Sequence, residues 1–196
     1  VPPGVAGYEP QTFAWAELTK EARIAEARRL YTEAGYSKEH PLVVELRTSK
    51  SPLHDRIALA VTAMWKEALG VEASFRSDDF RVLKQAIDAR ETVLFRGSWI
   101  GDYNDAYSFL QVLKGGFWLN LLRYRYDAYV PALAAASRAG GNERAQLLAN
   151  AERQLLDDVP LIPLYFYVSK RLVAPRVTGW YTNVMNVTYS KDLSFR

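Results

Sequence analysis

The sequence predicts an α/β fold in which helices flank a mixed open sheet. Runs of β-branched and apolar residues at 41–49, 71–76 and 91–98 have the length and composition of strands. The segments between them carry apolar residues at steps of three and four, which is typical of helices packed on one face. Residues 41–76 therefore form a strand–helix–strand unit of about 35 residues, the length of a right-handed parallel crossover.

The helices are marked by the residues at their ends. Ser51 followed by Pro52 predicts the N-cap and the first helical residue of a helix that Gly70 ends. Further helices are predicted before and after it, at 18–34, from Asp78 or Asp79 to Ala89, at 107–113, at 127–138 and at 142–158, with Asn142 as the N-cap of the last.

The last part of the chain predicts extended structure without a helix to cover it. Residues 159–168, VPLIPLYFYV, are apolar and interrupted by two prolines, and the strand-rich segment 169–196 carries aromatic residues such as Trp180. Such a segment is expected to pair with a sheet formed elsewhere. Because the chain also begins Val-Pro-Pro-Gly instead of with Met, we expect it to be a piece of a longer protein.

Composition excludes several classes of function. The 196 residues are 49% apolar and 24% charged, as in soluble globular proteins, and no apolar run is long enough to span a membrane. The absence of cysteine excludes a disulfide scaffold, thiolate catalysis and a cysteine zinc site, and the two histidines are too few for a histidine metal site. The net charge of +3 comes from interspersed charges and does not favour nucleic acid.

The stretch FRGSWIGDYNDAYSFL, residues 95–110, is the strongest candidate for a binding site. It is either a strand end with a surface salt bridge or a ligand site, since ligands collect at the carboxyl ends of strands in open α/β sheets. Asp102 could bind a cation such as an α-ammonium group, and Arg96 could bind a carboxylate. Trp99 and Tyr103 are either core residues or the walls of a side-chain pocket.

His54 is a second candidate for binding an anion. It lies at the third position of the helix that begins at Pro52, where free backbone N–H groups and the helix dipole favour negative charge. The alternative is a surface histidine without a function.

Two other patterns are weaker. Arg123-Tyr124-Arg125-Tyr126 alternates cations and aromatic rings, as nucleic-acid platforms do, but it is short, and a loop with inward-packed tyrosines is the better interpretation. A carboxylate-based hydrolase would depend on Asp102 and Asp105 alone, because the other Asp pairs lie at helix ends and no nucleophile elbow, phosphate loop or zinc-protease motif is present.

The stretch 95–110 resembles the corresponding segment of the periplasmic oligopeptide-binding proteins of bacterial ABC importers, which are family-5 extracellular solute-binding proteins. The resemblance covers essentially the whole chain and the C-terminal two-fifths or so of a full-length member. Further segments that match in order and spacing are EARRLYTEAGY, PLVVELRTS, SPLHDRIALAVTAMWKEALGV and AERQLLDDVPLIPLYFYVSKRLV.

The resemblance implies one lobe of a two-lobed fold of the periplasmic-binding-protein type II kind. Residues 1–163 would form most of the second ligand-binding lobe. Residues 164–196 would form the hinge and the strands that return to the first lobe.

The resemblance also implies roles for individual residues. Asp102 matches the aspartate that binds the α-ammonium group of the peptide, and Arg96 and His54 match residues associated with the peptide carboxylate. An ungapped alignment from Trp99 places Ile87 where the family has a third cation, and Arg90, about one helical turn further on, is the candidate substitute. This departure affects the peptide length that the site would prefer.

The implied function is non-catalytic capture of short peptides, without a cofactor, metal or nucleic acid. The implied partner is a membrane-embedded ABC permease, and the full-length protein would be a monomer in the periplasm or a lipid-anchored extracellular protein. The alternatives are the same fold with a different solute, such as a murein peptide, a nickel chelate or a sugar, and the carboxylate-based hydrolase.

Overall fold

A computed structural model describes residues 1–114, 124, 127–183 and 186–196. The chain divides into two compact units. One, called here the sheet unit, is Ala14–Ser98, and the other, called the helical unit, combines Val1–Phe13 with Trp99–Arg196.

The sheet unit is built on a three-stranded parallel sheet with strand order β2-β1-β3. The predicted strand–helix–strand unit is confirmed as the parallel pair β1 and β2, in which Val43 lies beside Glu72 and Ser49 beside Asp78. The strands are β1 (Val43–Ser49), β2 (Glu72–Asp78) and β3 (Leu94–Phe95).

The third strand is shorter than the predicted span of 91–98, because the residues at both ends of that span do not pair with β1. The backbone N–H of Glu91 donates to the carbonyl of Ala86 and so belongs to the end of the preceding helix. At the other end Gly97 and Ser98 follow Arg96, and glycine is disfavoured in strands.

Three helices surround this sheet, close to their predicted ranges: α1 (Lys20–Glu33), α2 (Pro52–Leu69) and α3 (Phe80–Asp88). Ser51 is the N-cap of α2, and Gly70 ends it in the left-handed conformation, as predicted. Of the two candidate caps for α3, Asp79 is the N-cap, whereas Asp78 is the last residue of β2. No residue of α1 is buried, so this helix contributes nothing to the buried core.

The helical unit has its core between three helices: α4 (Ala106–Leu110), which continues into a 3₁₀ turn at Gln111–Leu113, α5 (Tyr129–Ala136) and α6 (Gly141–Asp158). Its most buried large side chains are Tyr129, Leu133 and Leu148. The prediction of Asn142 as N-cap of α6 is wrong. The cap is Gly140, in an extended conformation, because the helix begins at Gly141.

The end of the chain has little regular structure in the described residues. Two short strands, β4 (Val177–Thr178) and β5 (Ser194–Phe195), pair antiparallel. The predicted extended segment 159–168 lies outside every described helix and strand and leaves its large apolar side chains exposed, among them Phe166 and Val168. Within the described ranges, no helix has the length and apolar character needed to cross a membrane.

Candidate binding site

The predicted site residues are distributed over the two units. His54, Arg90 and Arg96 belong to the sheet unit, whereas Trp99, Asp102 and Tyr103 begin the second segment of the helical unit.

In the sheet unit, His54 and Arg96 lie at the same edge of the sheet. His54 is in the first turn of α2, five residues after Ser49 ends β1. Arg96 directly follows β3, and its backbone N–H donates to the carbonyl of Arg47 at 2.8 Å. Both residues therefore lie at the carboxyl end of a parallel strand, which is where open α/β sheets bind ligands.

The ring of His54 is held by the end of β1. Its Nδ1 lies 3.0 Å from the carbonyl oxygen of Ser49 and 3.0 Å from the Ser49 hydroxyl oxygen. Because a carbonyl oxygen only accepts hydrogen bonds, this contact places the proton of the neutral ring on Nδ1. Nε2 has no hydrogen bond to the described residues.

Arg90 is not brought to this edge. The strands β2 and β3 run parallel, so α3 must carry the chain back from the carboxyl edge of β2 toward the amino edge of β3. Arg90 follows Ala89, the C-cap of α3, and has a φ of +61°, with its N–H donating to Ile87 and that of Glu91 to Ala86. This is a Schellman helix end, with arginine at the position usually held by glycine.

An ion-pair cluster at the carboxyl edge was missed by the sequence interpretation. Arg47 is 5% exposed and donates to Oδ2 of Asp78 from Nε at 3.0 Å and from a terminal nitrogen at 2.6 Å. Nε of Arg76 donates to Oδ1 of the same carboxylate at 3.0 Å. The hydrogen bonds from Arg47 are the main reason that the pKa of Asp78 lies below its usual value. The available signal was Arg47 in the β-branched and apolar stretch PLVVELRTS, which also contains Glu45.

In the helical unit, the loop 99–105 is bound to α4 at several points. The indole N–H of Trp99 donates to the carbonyl of Ser108 at 2.8 Å, and the backbone N–H of Asp102 donates to the Ser108 hydroxyl at 2.8 Å. The ring of Phe109 covers Gly101 so closely that a Cβ there would lie 2.7 Å from Cζ of the ring. The loop is thereby fixed relative to α4.

The carboxylate of Asp102 remains exposed on this fixed loop. No hydrogen bond or ion pair joins it to another side chain in the part of the chain that the structure describes. Tyr103 beside it is 44% exposed, and its hydroxyl accepts a hydrogen bond from Gln111 at 3.4 Å. Partial burial, followed by the nearby charge of Asp105, raises the pKa of Tyr103.

Asp105 has a structural role. Its Oδ1 accepts from the backbone N–H of Tyr107 as the cap of α4 and pairs with Arg144 of α6, both at 2.8 Å. The hydrolase interpretation needed Asp105 as a partner of Asp102, and these contacts occupy it. No group of three potential metal ligands occurs among the described residues. Arg123, Arg125 and Tyr126, the core of the cation–aromatic pattern, lie outside the described residues.

The chain is similar to several characterised proteins. It is 34% identical over 197 residues to the periplasmic murein peptide-binding protein MppA of Escherichia coli, covering 98% of this chain and 36% of MppA. It is 34% identical over 176 residues to the periplasmic oligopeptide-binding protein OppA of Salmonella typhimurium, covering 88% of this chain and 31% of OppA. It is also 34% identical over 199 residues to the probable deoxycholate-binding protein YgiS of E. coli, covering 98% of this chain and 36% of YgiS.

Solved structures agree with these relationships. The unliganded open form of the murein tripeptide-binding protein MppA superimposes with a TM-score of 0.86 at 30% identity, over 99% of this chain and 38% of that one. The chain thus spans about a third of the length of the relatives it matches. The family model "Bacterial extracellular solute-binding proteins, family 5 Middle" matches residues 1–120. The chain belongs to the family-5 bacterial extracellular solute-binding proteins, with their mixed α/β fold, as the resemblance in the sequence indicated.

Proposed function

We propose that this chain is the ligand-contacting part of a solute-binding protein that captures short peptides for an ABC importer, without catalysis. Asp102 binds the α-ammonium group of the peptide, Arg96 and His54 bind its carboxylate directly or through water, and Trp99 and Tyr103 contact its side chains. Arg90 is kept as an additional carboxylate-binding candidate with less support, since the strand topology leads it away from the edge that carries Arg96.

The exposed carboxylate of Asp102 carries this proposal. The loop that bears it is bound to α4 through Trp99 and Asp102 itself, yet the carboxylate has no partner in the described residues. An unpaired carboxylate on a fixed loop is prepared for a cationic ligand because no internal ion pair has to be broken. The names of the relatives, which include murein peptide-binding and oligopeptide-binding proteins, support a peptide as that ligand.

Location and partners follow from the same relatives. Proteins named as periplasmic support a periplasmic or lipid-anchored extracellular location, and the ABC permease is the proposed membrane partner. We infer that the full-length protein is a monomer of two lobes. In it residues 1–163 belong to the ligand-binding second lobe, and 164–196 form the hinge and the strands of the first lobe.

The proposed domain division is supported by the exposed apolar surface of the last part of the chain. Leu172 is fully exposed, and Phe166 and Val168 are exposed as well. Apolar residues that follow one another without alternation are typical of strands buried on both faces. The part of the longer protein that this chain does not span would supply that cover.

Calorimetry on the full-length protein with peptides of two to five residues tests the role of Asp102. Asp102→Ala should weaken binding by about 2–4 kcal/mol, because the ammonium group of the ligand would be left unpaired in the bound state. Asp157→Ala, which removes an exposed carboxylate at the end of α6, is the matched control and should leave affinity unchanged. Equal affinities for the Asp102 variant and the unmodified protein would reject Asp102 as the amine-binding residue.

A bile acid is a second candidate ligand, favoured by the similarity to YgiS over 98% of this chain. Deoxycholate has a carboxylate but no ammonium group, so it would use Arg96 and His54 and not Asp102. Calorimetric binding of deoxycholate that is unaffected by Asp102→Ala, together with absence of peptide binding, would favour this candidate over the peptide.

A further inference from the structure

One buried residue, Ser108, joins the two ligand-binding candidates of the helical unit. It lies in α4 and is 0% exposed. Its hydroxyl oxygen accepts the backbone N–H of Asp102, and its carbonyl oxygen accepts the indole N–H of Trp99, each at 2.8 Å. The backbone and the side chain of the same residue therefore fix the two ends of the segment 99–102.

The contacts around Ser108 show that this loop has little freedom to move. Phe109, the next residue of α4, lies on Gly101, where a Cβ would be 2.7 Å from the ring. Asp105 closes the other end of the loop through the N–H of Tyr107 and through Arg144. Asp102 is exposed and its carboxylate has no partner among the described residues, so the hydrogen bond of its backbone N–H is what holds the residue in place.

We propose that Ser108 is a positioning residue for amine recognition. Its hydroxyl fixes the backbone of Asp102, and thereby the carboxylate, in the orientation that binds the ligand's ammonium group. Ser108 itself does not touch the ligand, and the inference rests on the proposed role of Asp102. Removing the hydroxyl leaves the Asp102 N–H without its acceptor and lets the loop rotate at Asp102. A net hydrogen bond of this kind corresponds to roughly a threefold to tenfold change in an equilibrium constant.

The test measures preference for a free amine and not affinity alone. In the full-length protein, calorimetry gives Kd for tri-alanine and for N-acetyl-tri-alanine. The Kd of the acetylated peptide divided by the Kd of the free peptide measures how strongly the protein prefers the ammonium group. Ser108→Ala should lower that ratio roughly threefold to tenfold, and Ser108→Thr, which keeps the hydroxyl, should restore most of it. A purely structural role would weaken both peptides equally and leave the ratio unchanged.

The matched control is Thr62→Ala, which removes another buried hydroxyl, one that donates within α2 to Ala58 and not to the loop. It should not change the ratio. If Ser108→Ala fails to fold, Ser108→Cys replaces it, because sulfur is a weak acceptor of similar size, and the ratio should again fall.

Each remaining outcome contradicts a defined part of the argument. If Asp102→Ala abolishes the preference for the free amine but Ser108→Ala and Ser108→Cys leave it intact, the proposed role of Ser108 is wrong. The proposed role of Asp102 is then retained. If the unmodified protein shows no preference for the free amine, both proposals are wrong, since there is then no amine recognition for Ser108 to position.

Discussion

At the scale of single residues, Arg90 shows how one backbone angle changes the interpretation of a side chain. Its φ of +61° places an arginine where helix ends usually have glycine, at a cost of about 1 kcal/mol or more. Its exposed side chain has no partner among the described residues. The sequence offered Arg90 as a third cation, and the structure gives it a place in a helix end.

Arg90→Gly should therefore raise the free energy of unfolding by about 1 kcal/mol, measured by urea denaturation, because glycine adopts a positive φ without strain. Arg90→Ala is the control, since it removes the same guanidinium but keeps the strained backbone. A ligand role would appear as an equal loss of peptide affinity in both variants. Equal stability of the two variants would contradict the strain argument.

Gly179 is the residue whose replacement should be most damaging locally. Its φ is +80°, and a Cβ would lie 1.8 Å from the carbonyl oxygen of Asp192, which is a backbone atom that no side-chain rotation can remove. Gly179→Ala should destabilise the β4–β5 pair by about 2 kcal/mol or more, seen as faster hydrogen exchange of its amides. Gly140→Ala, with open space around the Cβ position, should have a much smaller effect; equal exchange in both variants would be evidence against the clash.

At the scale of elements, the parallel sheet is held at its carboxyl edge by the buried pair of Arg47 and Asp78. Breaking such a pair from one side is strongly destabilising because the remaining charge is buried without a partner. This pair lies beside Ser49, which holds His54, and the carbonyl of Arg47 accepts the N–H of Arg96. The stability of the sheet and the geometry of the proposed carboxylate site therefore depend on the same residues.

Asp78→Asn should lower the free energy of unfolding at neutral pH by about 3 kcal/mol. The exposed pair of Lys84 and Asp88 provides the control, where Asp88→Asn should cost less than about 0.5 kcal/mol. Urea denaturation of both variants measures the difference. Similar losses of unfolding free energy in the two variants would mean that burial does not make the pair of Arg47 and Asp78 more important for stability than an exposed pair.

The lowered pKa of Asp78 also predicts a pH dependence. Because the folded-state pKa lies below the usual value of 3.8, the stabilisation is fully present above that value and is lost as the pH falls through the folded-state pKa. Urea titrations between about pH 5 and pH 2 should show a weaker dependence on pH in Asp78→Asn than in the unmodified protein. An identical dependence would exclude Asp78 as a contributor.

At the scale of the whole molecule, the apolar side chains of residues 161–168 are exposed, and the proposed cover by the other lobe can be tested there. Because this chain has no cysteine, a thiol introduced at Val168, which is 78% exposed, reports directly on that cover. Labelling of Val168→Cys should be at least about tenfold slower in the full-length protein than in this chain alone, since burial restricts access to open states. Ser137→Cys, at the exposed end of α5, is the control and should react at the same rate in both. Equal rates at Val168 would contradict the proposed cover.

The sequence by itself determined the parallel strand–helix–strand unit and the ends of α2, because local periodicity and capping residues specify them without distant contacts. It also indicated the family, but through the resemblance of whole segments such as residues 95–110. The roles of Arg47, Asp105 and Ser108 were decided only by the tertiary structure. Each role depends on a partner that is distant in sequence, or on which face of a helix meets the loop. The spacing of residues along the chain predicts neither of these. For Asp102 the sequence and the tertiary structure each decided one part. Its position three residues after Trp99 is read from the sequence, whereas its unpaired carboxylate is a property of the folded loop.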